Sequence, residues 1–204
     1  MDTHEEKAIT AQFILLLGGA RSGKSSFAER LAAQSGRSVA YIATAQASDA
    51  DMLQRIQLHQ SARPPHWQTI EEPLQLANAV QRAASVADVL LFDCMTTWLG
   101  NWLLAQGEHD LEESSLRSAH LYERVQAEAH SFLESIAALP STKTLLVVSN
   151  EVGLGIVPAY PLGRVYRDLL GLLNQSLAAA AHRVYLLIAG LPVDLKKLQE
   201  EILI

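Results

Sequence analysis

The sequence predicts an α/β fold in which a mostly parallel central sheet is flanked by helices. Short apolar runs of strand length recur along the chain, amphipathic stretches separate them, and a glycine-rich turn joins the first run to the first helix. Strands that alternate with helices are typical of parallel sheets. The 204 residues are enough for one α/β domain. We assign it to residues 13–196, with a flexible N-terminal tail at 1–12 and a C-terminal tail at 197–204.

The first strand and helix have the clearest patterns. Residues 13–17 are a continuous apolar run, which favours a central strand covered on both faces. Residues 24–34 carry a helical apolar stripe that includes Phe27, and Gly36 follows as a stop signal. Residues 39–42 are the next apolar strand.

The middle of the chain continues the alternation. Residues 49–60 are predicted to form a helix with Asp49 as its N-cap. A short strand is predicted at 67–70, and a helix at 73–84 has proline in its first turn. Residues 89–92 form a third strong strand.

The second half repeats this order and ends without a clear pattern. A tryptophan-containing helix is followed by a loop, a long helix with one apolar stripe, a strand, a glycine-rich loop, a helix and a final strand. The predicted ranges are 96–105, 106–110, 111–139, 144–148, 150–158, 163–181 and 184–188, and residues 192–204 are predicted to be a mixed tail.

Composition excludes several classes of protein. The net charge of −6 argues against nucleic acid or an acidic membrane surface as the main partner. A single cysteine, Cys94, excludes an intrachain disulfide and a cysteine-rich zinc site, and it favours a cytoplasmic location. No apolar run approaches the roughly 20 residues of a membrane helix, and the polar start of the chain is not a secretory signal.

The turn after the first strand matches the phosphate-binding pattern G-x-x-x-x-G-K-[ST]. Its residues are Gly18, Gly19, Ala20, Arg21, Ser22, Gly23, Lys24 and Ser25. Backbone N–H groups of such a loop converge on phosphate oxygens, and the helix that follows presents its positive end. Lys24 is expected to meet the β- and γ-phosphates of a nucleoside triphosphate, and Ser25 to place a hydroxyl on Mg²⁺. We therefore predict a P-loop NTPase fold of the RecA-like type.

Asp93 is a second candidate metal ligand. It ends the run Val-Leu-Leu-Phe-Asp, where an acidic residue of P-loop proteins holds Mg²⁺. The alternative is an aspartate that caps a helix or faces water, because aspartate is a common turn residue.

Two histidines follow the second predicted strand, His59 and His66. His59 shares a helical stripe with Met52 and Ile56. By spacing alone it is better explained as a residue that packs and caps the helix, and His66 has no stronger case.

Several segments, taken together and in order, closely resemble the bifunctional adenosylcobinamide kinase/adenosylcobinamide-phosphate guanylyltransferase family of cobalamin biosynthesis. The resemblance extends from about Phe13 to Lys196. The segments are GGARSGKS at 18–25, YIATA at 41–45, RIQLH at 55–59, RPPHW at 63–67, DCMTTWL at 93–99 and SNEVGLGIVP at 149–158, followed by Arg164, Arg167–Asp168 and Asn174–Gln175.

This resemblance implies two reactions. The first phosphorylates adenosylcobinamide, and the second transfers GMP from GTP to the product through a guanylyl-histidine, giving adenosylcobinamide-GDP. His59 matches the reactive histidine by its place before Arg63. Some members have a second histidine directly before it, where this chain has Leu58. The family also implies Mg²⁺, GTP with ATP as an alternative phosphoryl donor, and a homo-oligomer, with a trimer as the expected form.

The resemblance also implies which residues border GTP. These are Ala43, Thr44, Ala45, Gln60, Ser61, Ala62, Arg63, Glu71 and Asp93. Glu72 is an equal alternative to Glu71, and Glu151 is either a group that polarises the substrate hydroxyl or holds Mg²⁺, or a solvated loop residue. Trp98 and Trp102 are expected to pack in a core or an interface. A RecA-like motor ATPase and a nucleotide-sensing module share the P-loop but need no reactive His59.

Overall fold

The computed structural model of the chain describes residues 11–46, 54, 60–61, 63–107 and 119–202. Its centre is a seven-stranded sheet. The strands are β1 (Gln12–Gly18), β2 (Val39–Ala43), β3 (Gln68–Glu71), β4 (Val89–Asp93), β5 (Thr144–Val148), β6 (Arg183–Ile188) and β7 (Leu191–Asp194). Their order is β3-β2-β4-β5-β1-β6-β7. Strands β1 to β6 pair in parallel, whereas β7 pairs antiparallel to β6.

Helices cover both faces of this sheet. They are α1 (Lys24–Gln34), α2 (Leu76–Val86), α3 (Met95–Ala105), α4 (Ala119–Ala137), α5 (Pro161–Ala180) and α6 (Leu195–Ile202). The mostly parallel α/β architecture predicted from the alternating pattern is therefore confirmed.

β1 lies inside the sheet because its apolar residues serve two cores. Phe13 and Leu15 pack into the core that contains buried residues of α2, α3, α4 and α5. Ile14 and Leu16 face the opposite side, where they pack with Phe27 of α1. Side chains of a strand alternate between faces, so a continuous apolar run is what a strand covered on both sides requires.

α2 begins later than the proline position suggested. The predicted helix began at 73, whereas the observed one starts at Leu76. The Glu72 carboxylate accepts the N–H groups of Leu74 and Gln75, at 3.3 and 3.0 Å, so it caps the turn before the helix. Pro73 therefore lies before the helix.

The predicted mixed tail at the C-terminus was wrong, because it contains β7 and α6. β7 forms by pairing with β6, and Asp194 accepts the Lys197 N–H at 3.2 Å at the start of α6. α6 continues through Lys197, so the chain has no structural break at the predicted boundary between 196 and 197. At the other end, β1 starts at Gln12, one residue inside the predicted tail.

Some predictions lie outside the described residues. They concern the tail at 1–10, most of the predicted helix at 49–60 and the first part of the long helix at 111–139, of which Ala119–Ala137 is described. Within the described parts of the chain, no helix is both long enough and apolar enough to span a bilayer.

Candidate functional site

The carboxyl ends of the parallel strands bring most of the predicted site residues to one edge. Ala43 at the end of β2 pairs with Glu71 on one side and with Asp93 on the other. Asp93 in turn pairs with Val148, and β1 beyond it ends at Gly18, the first residue of the P-loop. Ligands of open α/β sheets bind at this edge.

The P-loop side chain Lys24 is folded back over its own loop. Its Nζ donates to Gly19 O at 2.7 Å and lies 3.4 Å from Ser22 Oγ, and the residue is only 7% exposed. Burial lowers the pKa of the Lys24 ammonium, while the neighbouring Cys94 and Asp93 oppose that fall. The opposing effect of Asp93 means that the two predicted site residues are close enough to interact electrostatically.

Two P-loop glycines are required by their surroundings. Gly18 has φ of 150°, and a Cβ there would lie 2.5 Å from Leu187 O. Gly23 has φ of 94°, and its Cβ would lie 3.2 Å from the Cα of Gly190. Gly190 also donates its N–H to Ser22 O at 2.9 Å. The turn after β6 therefore supports the phosphate loop from behind.

Asp93 belongs to a stacked set with Tyr41 and Arg63. The Tyr41 hydroxyl donates to Asp93 Oδ2 at 2.7 Å, and the Arg63 guanidinium lies 3.3 Å from the centre of the Tyr41 ring. Burial, followed by the Asp93 charge, raises the pKa of the Tyr41 phenol, so it remains a donor at neutral pH. Tyr41 thus holds one carboxylate oxygen and one guanidinium in fixed positions.

The Arg63 guanidinium keeps donors for a ligand. Its Nε and Nη1 are buried, and neither has a hydrogen-bond partner among the residues that the structure describes. A buried charged donor without an acceptor is costly. An anionic ligand oxygen, such as a phosphate oxygen, would satisfy these groups.

Not every residue predicted to border the nucleotide presents its side chain there. Thr44 is fully buried, and its hydroxyl bonds both the N–H and the carbonyl of Cys94, at 2.9 and 3.0 Å. This side chain therefore ties β2 to β4, beside Ala43 and Ala45, which are half-buried. Glu71 is exposed, whereas Glu72 caps α2 and pairs with Arg82 at 3.4 Å, which favours Glu71 as the residue open to a ligand.

The loop after β5 is attached to the P-loop and to the core. The Glu151 N–H donates to Gly18 O at 3.0 Å, and Glu151 Oε1 accepts the Gly153 N–H at 2.7 Å. Asn174 of α5 donates to Asn150 O at 2.9 Å and accepts from the buried Ser149 hydroxyl at 2.7 Å. These contacts fix where the glycine-rich loop begins.

We expect Asn174→Ala to lower the free energy of unfolding by about 2 to 4 kcal/mol, since it removes two hydrogen bonds and leaves the Ser149 hydroxyl buried without its acceptor. Urea denaturation measures this change. Asn78→Ala is the matched control, because Asn78 donates only to an exposed Gln75 side chain at 3.1 Å. Equal destabilisation by the two substitutions would contradict the role of Asn174.

Two predicted residues, His59 and Ala62, lie outside the described residues. Their neighbours Gln60 and Ser61 are helical and exposed. Ser25 is the first-turn residue of α1 after Lys24 and is half-buried. The described part of the chain holds no group of three or more histidine, cysteine, aspartate or glutamate residues that would bind a metal by itself.

Sequence reasoning missed three supporting residues: Tyr41, Asn174 and Gly190. Tyr41 and Asn174 lie in segments that carried the family resemblance, but no local pattern indicates their contacts. Gly190 had a weak signal, since a glycine after a strand is typical of a turn. Trp98 and Trp102, by contrast, pack in the core as predicted, with exposures of 0% and 4%.

Comparison with known proteins gives results consistent with this geometry. A family model described as cobinamide kinase / cobinamide phosphate guanyltransferase matches residues 14–195. The bifunctional adenosylcobalamin biosynthesis protein CobP of Pseudomonas aeruginosa is 46% identical over 182 residues, which are 89% of this chain and 96% of that protein. The corresponding CobU of Escherichia coli is 39% identical over 184 residues, covering 90% and 99%.

A solved structure resembles the fold. A prototypical ATPase from the type III secretion system of pathogenic bacteria aligns with a TM-score of 0.51 and 12% identity. The alignment covers 95% of this chain and 54% of that one. The likeness supports the RecA-like P-loop fold and carries no information about the substrate.

Proposed function

The chain belongs to the cobinamide kinase / cobinamide phosphate guanyltransferase family, and from this premise we propose that it phosphorylates adenosylcobinamide and then converts the phosphate to adenosylcobinamide-GDP. The family match over residues 14–195 carries this proposal. The P-loop with its buried Lys24 supports a nucleoside triphosphate as donor. GTP serves the second reaction, and GTP or ATP the first.

In the kinase reaction, the hydroxyl of the substrate attacks the γ-phosphorus, and the bond between that phosphorus and the β,γ-bridging oxygen breaks. Lys24 and the P-loop N–H groups stabilise the negative charge on the phosphates. Glu151 is the proposed acceptor of the hydroxyl proton, and its backbone contact with Gly18 places it beside the P-loop. Its Oε1 is engaged by the Gly153 N–H.

In the guanylyl transfer, a neutral imidazole nitrogen of His59 attacks the α-phosphorus of GTP. A nitrogen–phosphorus bond forms, and pyrophosphate leaves. A phosphate oxygen of adenosylcobinamide phosphate then attacks the same phosphorus and releases the imidazole. Splitting the displacement in this way predicts ping-pong kinetics, and protonation of His59 at low pH removes its lone pair and slows the first step.

Arg63 is the proposed partner of the α-phosphate. Its unpaired, buried Nε and Nη1 donors support this role, because a phosphate gaining charge in the transition state would accept both. The Tyr41 ring beneath the guanidinium restricts its movement, so little rotational freedom is lost when a phosphate binds.

Mg²⁺ fits the oxygen groups at the strand edge. Ser25 and Asp93 offer a hydroxyl and a carboxylate, which suit a hard cation that keeps several waters and is shared with phosphates. When bound, the ion neutralises charge on the transferred phosphoryl group. Tyr41 holds Asp93 Oδ2, and the other carboxylate oxygen is the one proposed to face the metal.

We expect Tyr41→Phe to weaken divalent-cation binding about tenfold to a hundredfold, because loss of the hydroxyl frees the Asp93 carboxylate to rotate. Electron paramagnetic resonance of Mn²⁺ titrated into the protein with GTP measures this directly. Tyr166→Phe is the control, since Tyr166 also loses a buried hydroxyl contact, to Thr96 O at 2.8 Å, without touching Asp93. Unchanged Mn²⁺ affinity in Tyr41→Phe would contradict the positioning of Asp93 by Tyr41.

We also propose a cytoplasmic homo-oligomer. The family resemblance supports a trimer, and light scattering after gel filtration tests the subunit number. The single cysteine is compatible with a reducing compartment.

The proposed activity is tested by incubating the purified protein with adenosylcobinamide, GTP and Mg²⁺ and identifying products by mass spectrometry. Adenosylcobinamide phosphate and adenosylcobinamide-GDP are expected, with pyrophosphate released in the second reaction. GTP hydrolysis without either corrinoid product would favour the motor-type ATPase instead.

A further inference from the structure

The loop between β5 and α5 exposes an unusual run of apolar side chains. Leu154 and Ile156 are 84% and 97% exposed, and Val157 and Tyr160 are 60% and 64% exposed. These four residues are called the apolar loop below. Large aliphatic side chains exposed together are typical of surfaces that bind another molecule.

The apolar loop is held firmly at both of its ends. At its start, Val152 packs against the main core, and the Asn150 N–H donates to Thr96 Oγ1 at 2.9 Å. At its end, Arg164 donates to Ala159 O at 2.8 Å. The exposed side chains are therefore carried by an anchored segment, so little conformational entropy would be lost if they contacted a ligand.

The start of the loop is joined to the nucleotide site. The Glu151 N–H bonds Gly18 O, which is the first residue of the P-loop. Leu154 follows three residues later. An acceptor bound at the P-loop must place its hydroxyl within about 3 to 3.5 Å of the γ-phosphorus. Any large remainder of that acceptor has to extend over surfaces next to the P-loop.

Resting on the proposed function, we propose that the apolar loop binds the corrin macrocycle of adenosylcobinamide while the hydroxyl-bearing arm of the substrate reaches the P-loop. A corrin has broad apolar ring faces with amide groups at its periphery, and it is much larger than the triphosphate. Leu154 and Ile156 supply aliphatic contact area for a ring face, and Tyr160 adds an aromatic ring with a polar hydroxyl.

The experiment compares Leu154→Ser/Ile156→Ser with the wild-type protein. Equilibrium dialysis with adenosylcobinamide gives the corrinoid Kd, and steady-state kinetics give the KM values for corrinoid and for GTP. Each lost aliphatic contact in an apolar pocket weakens binding about tenfold or more. The double variant is therefore expected to raise the corrinoid Kd and KM at least about tenfold, with the KM for GTP unchanged.

Two further measurements separate this role from others. Formation of the GMP adduct with GTP alone needs no corrinoid and is expected to proceed normally in the double variant. The control Leu104→Ser/Ile202→Ser removes side chains that are 58% and 71% exposed at the ends of α3 and α6. It is expected to keep the wild-type corrinoid Kd.

Three outcomes would overturn the proposal. An unchanged corrinoid Kd in the double variant would show that the macrocycle binds elsewhere. A change in subunit number, measured by light scattering, with loss of GTP turnover would show that a second copy of the chain covers the loop. A wild-type protein that binds no adenosylcobinamide would remove the proposed function and the loop assignment together, a result distinct from an unchanged Kd.

Discussion

Replacement of His59 with alanine is expected to abolish guanylyl transfer while phosphorylation of adenosylcobinamide continues at a similar rate. Only the second reaction needs a covalent intermediate on the imidazole. Removal of a covalent nucleophile typically costs on the order of 10⁴- to 10⁶-fold in rate. The measurement is the separate yield of adenosylcobinamide phosphate and adenosylcobinamide-GDP, together with the mass of the intact protein after incubation with GTP.

The wild-type protein should gain the mass of one GMP, through a bond that acid breaks and alkali does not. His59→Ala should lack this adduct and still bind GTP. His66→Ala is the matched control, because His66 is an exposed histidine in the following segment and should leave the adduct intact. An adduct that persists in His59→Ala would move the nucleophile elsewhere. Equal loss of both reactions would instead make His59 a residue that shapes the nucleotide site.

Lys24→Ala is expected to reduce both reactions by about a hundredfold to a thousandfold, the usual cost of removing a group that stabilises transition-state charge. Its Nζ lies at the P-loop, within 2.7 Å of Gly19 O, and burial strengthens its interaction with a phosphate. Initial rates of the two corrinoid products, together with GTP affinity from calorimetry, measure the effect.

The control for charge is Lys197→Ala, since Lys197 is an exposed residue of α6. This variant should match the wild-type protein in both rates. If Lys24→Ala stopped the kinase reaction alone, then guanylyl transfer would need a second nucleotide site, and the assumption of one P-loop for both reactions would be wrong.

Local patterns were sufficient where one residue type had one physical purpose. The run at 13–17 could only be a strand covered on both faces, and the glycines of the P-loop were read correctly because few other residues adopt φ near 94°. The C-terminal elements were missed for the opposite reason. β7 depends on hydrogen bonds to β6, and a short segment containing Pro192 has no strong preference of its own.

The sequence by itself determined the alternation of strands and helices, the phosphate loop and, through the order of its motifs, the family. Each of these is written in neighbouring residues. The tertiary structure alone decided that Tyr41 holds Asp93 beneath Arg63, that Glu72 caps α2 and leaves Glu71 exposed, and that Gly190 supports Ser22. These contacts join residues far apart in the chain or choose between adjacent ones, and only the register of the parallel strands sets their distances.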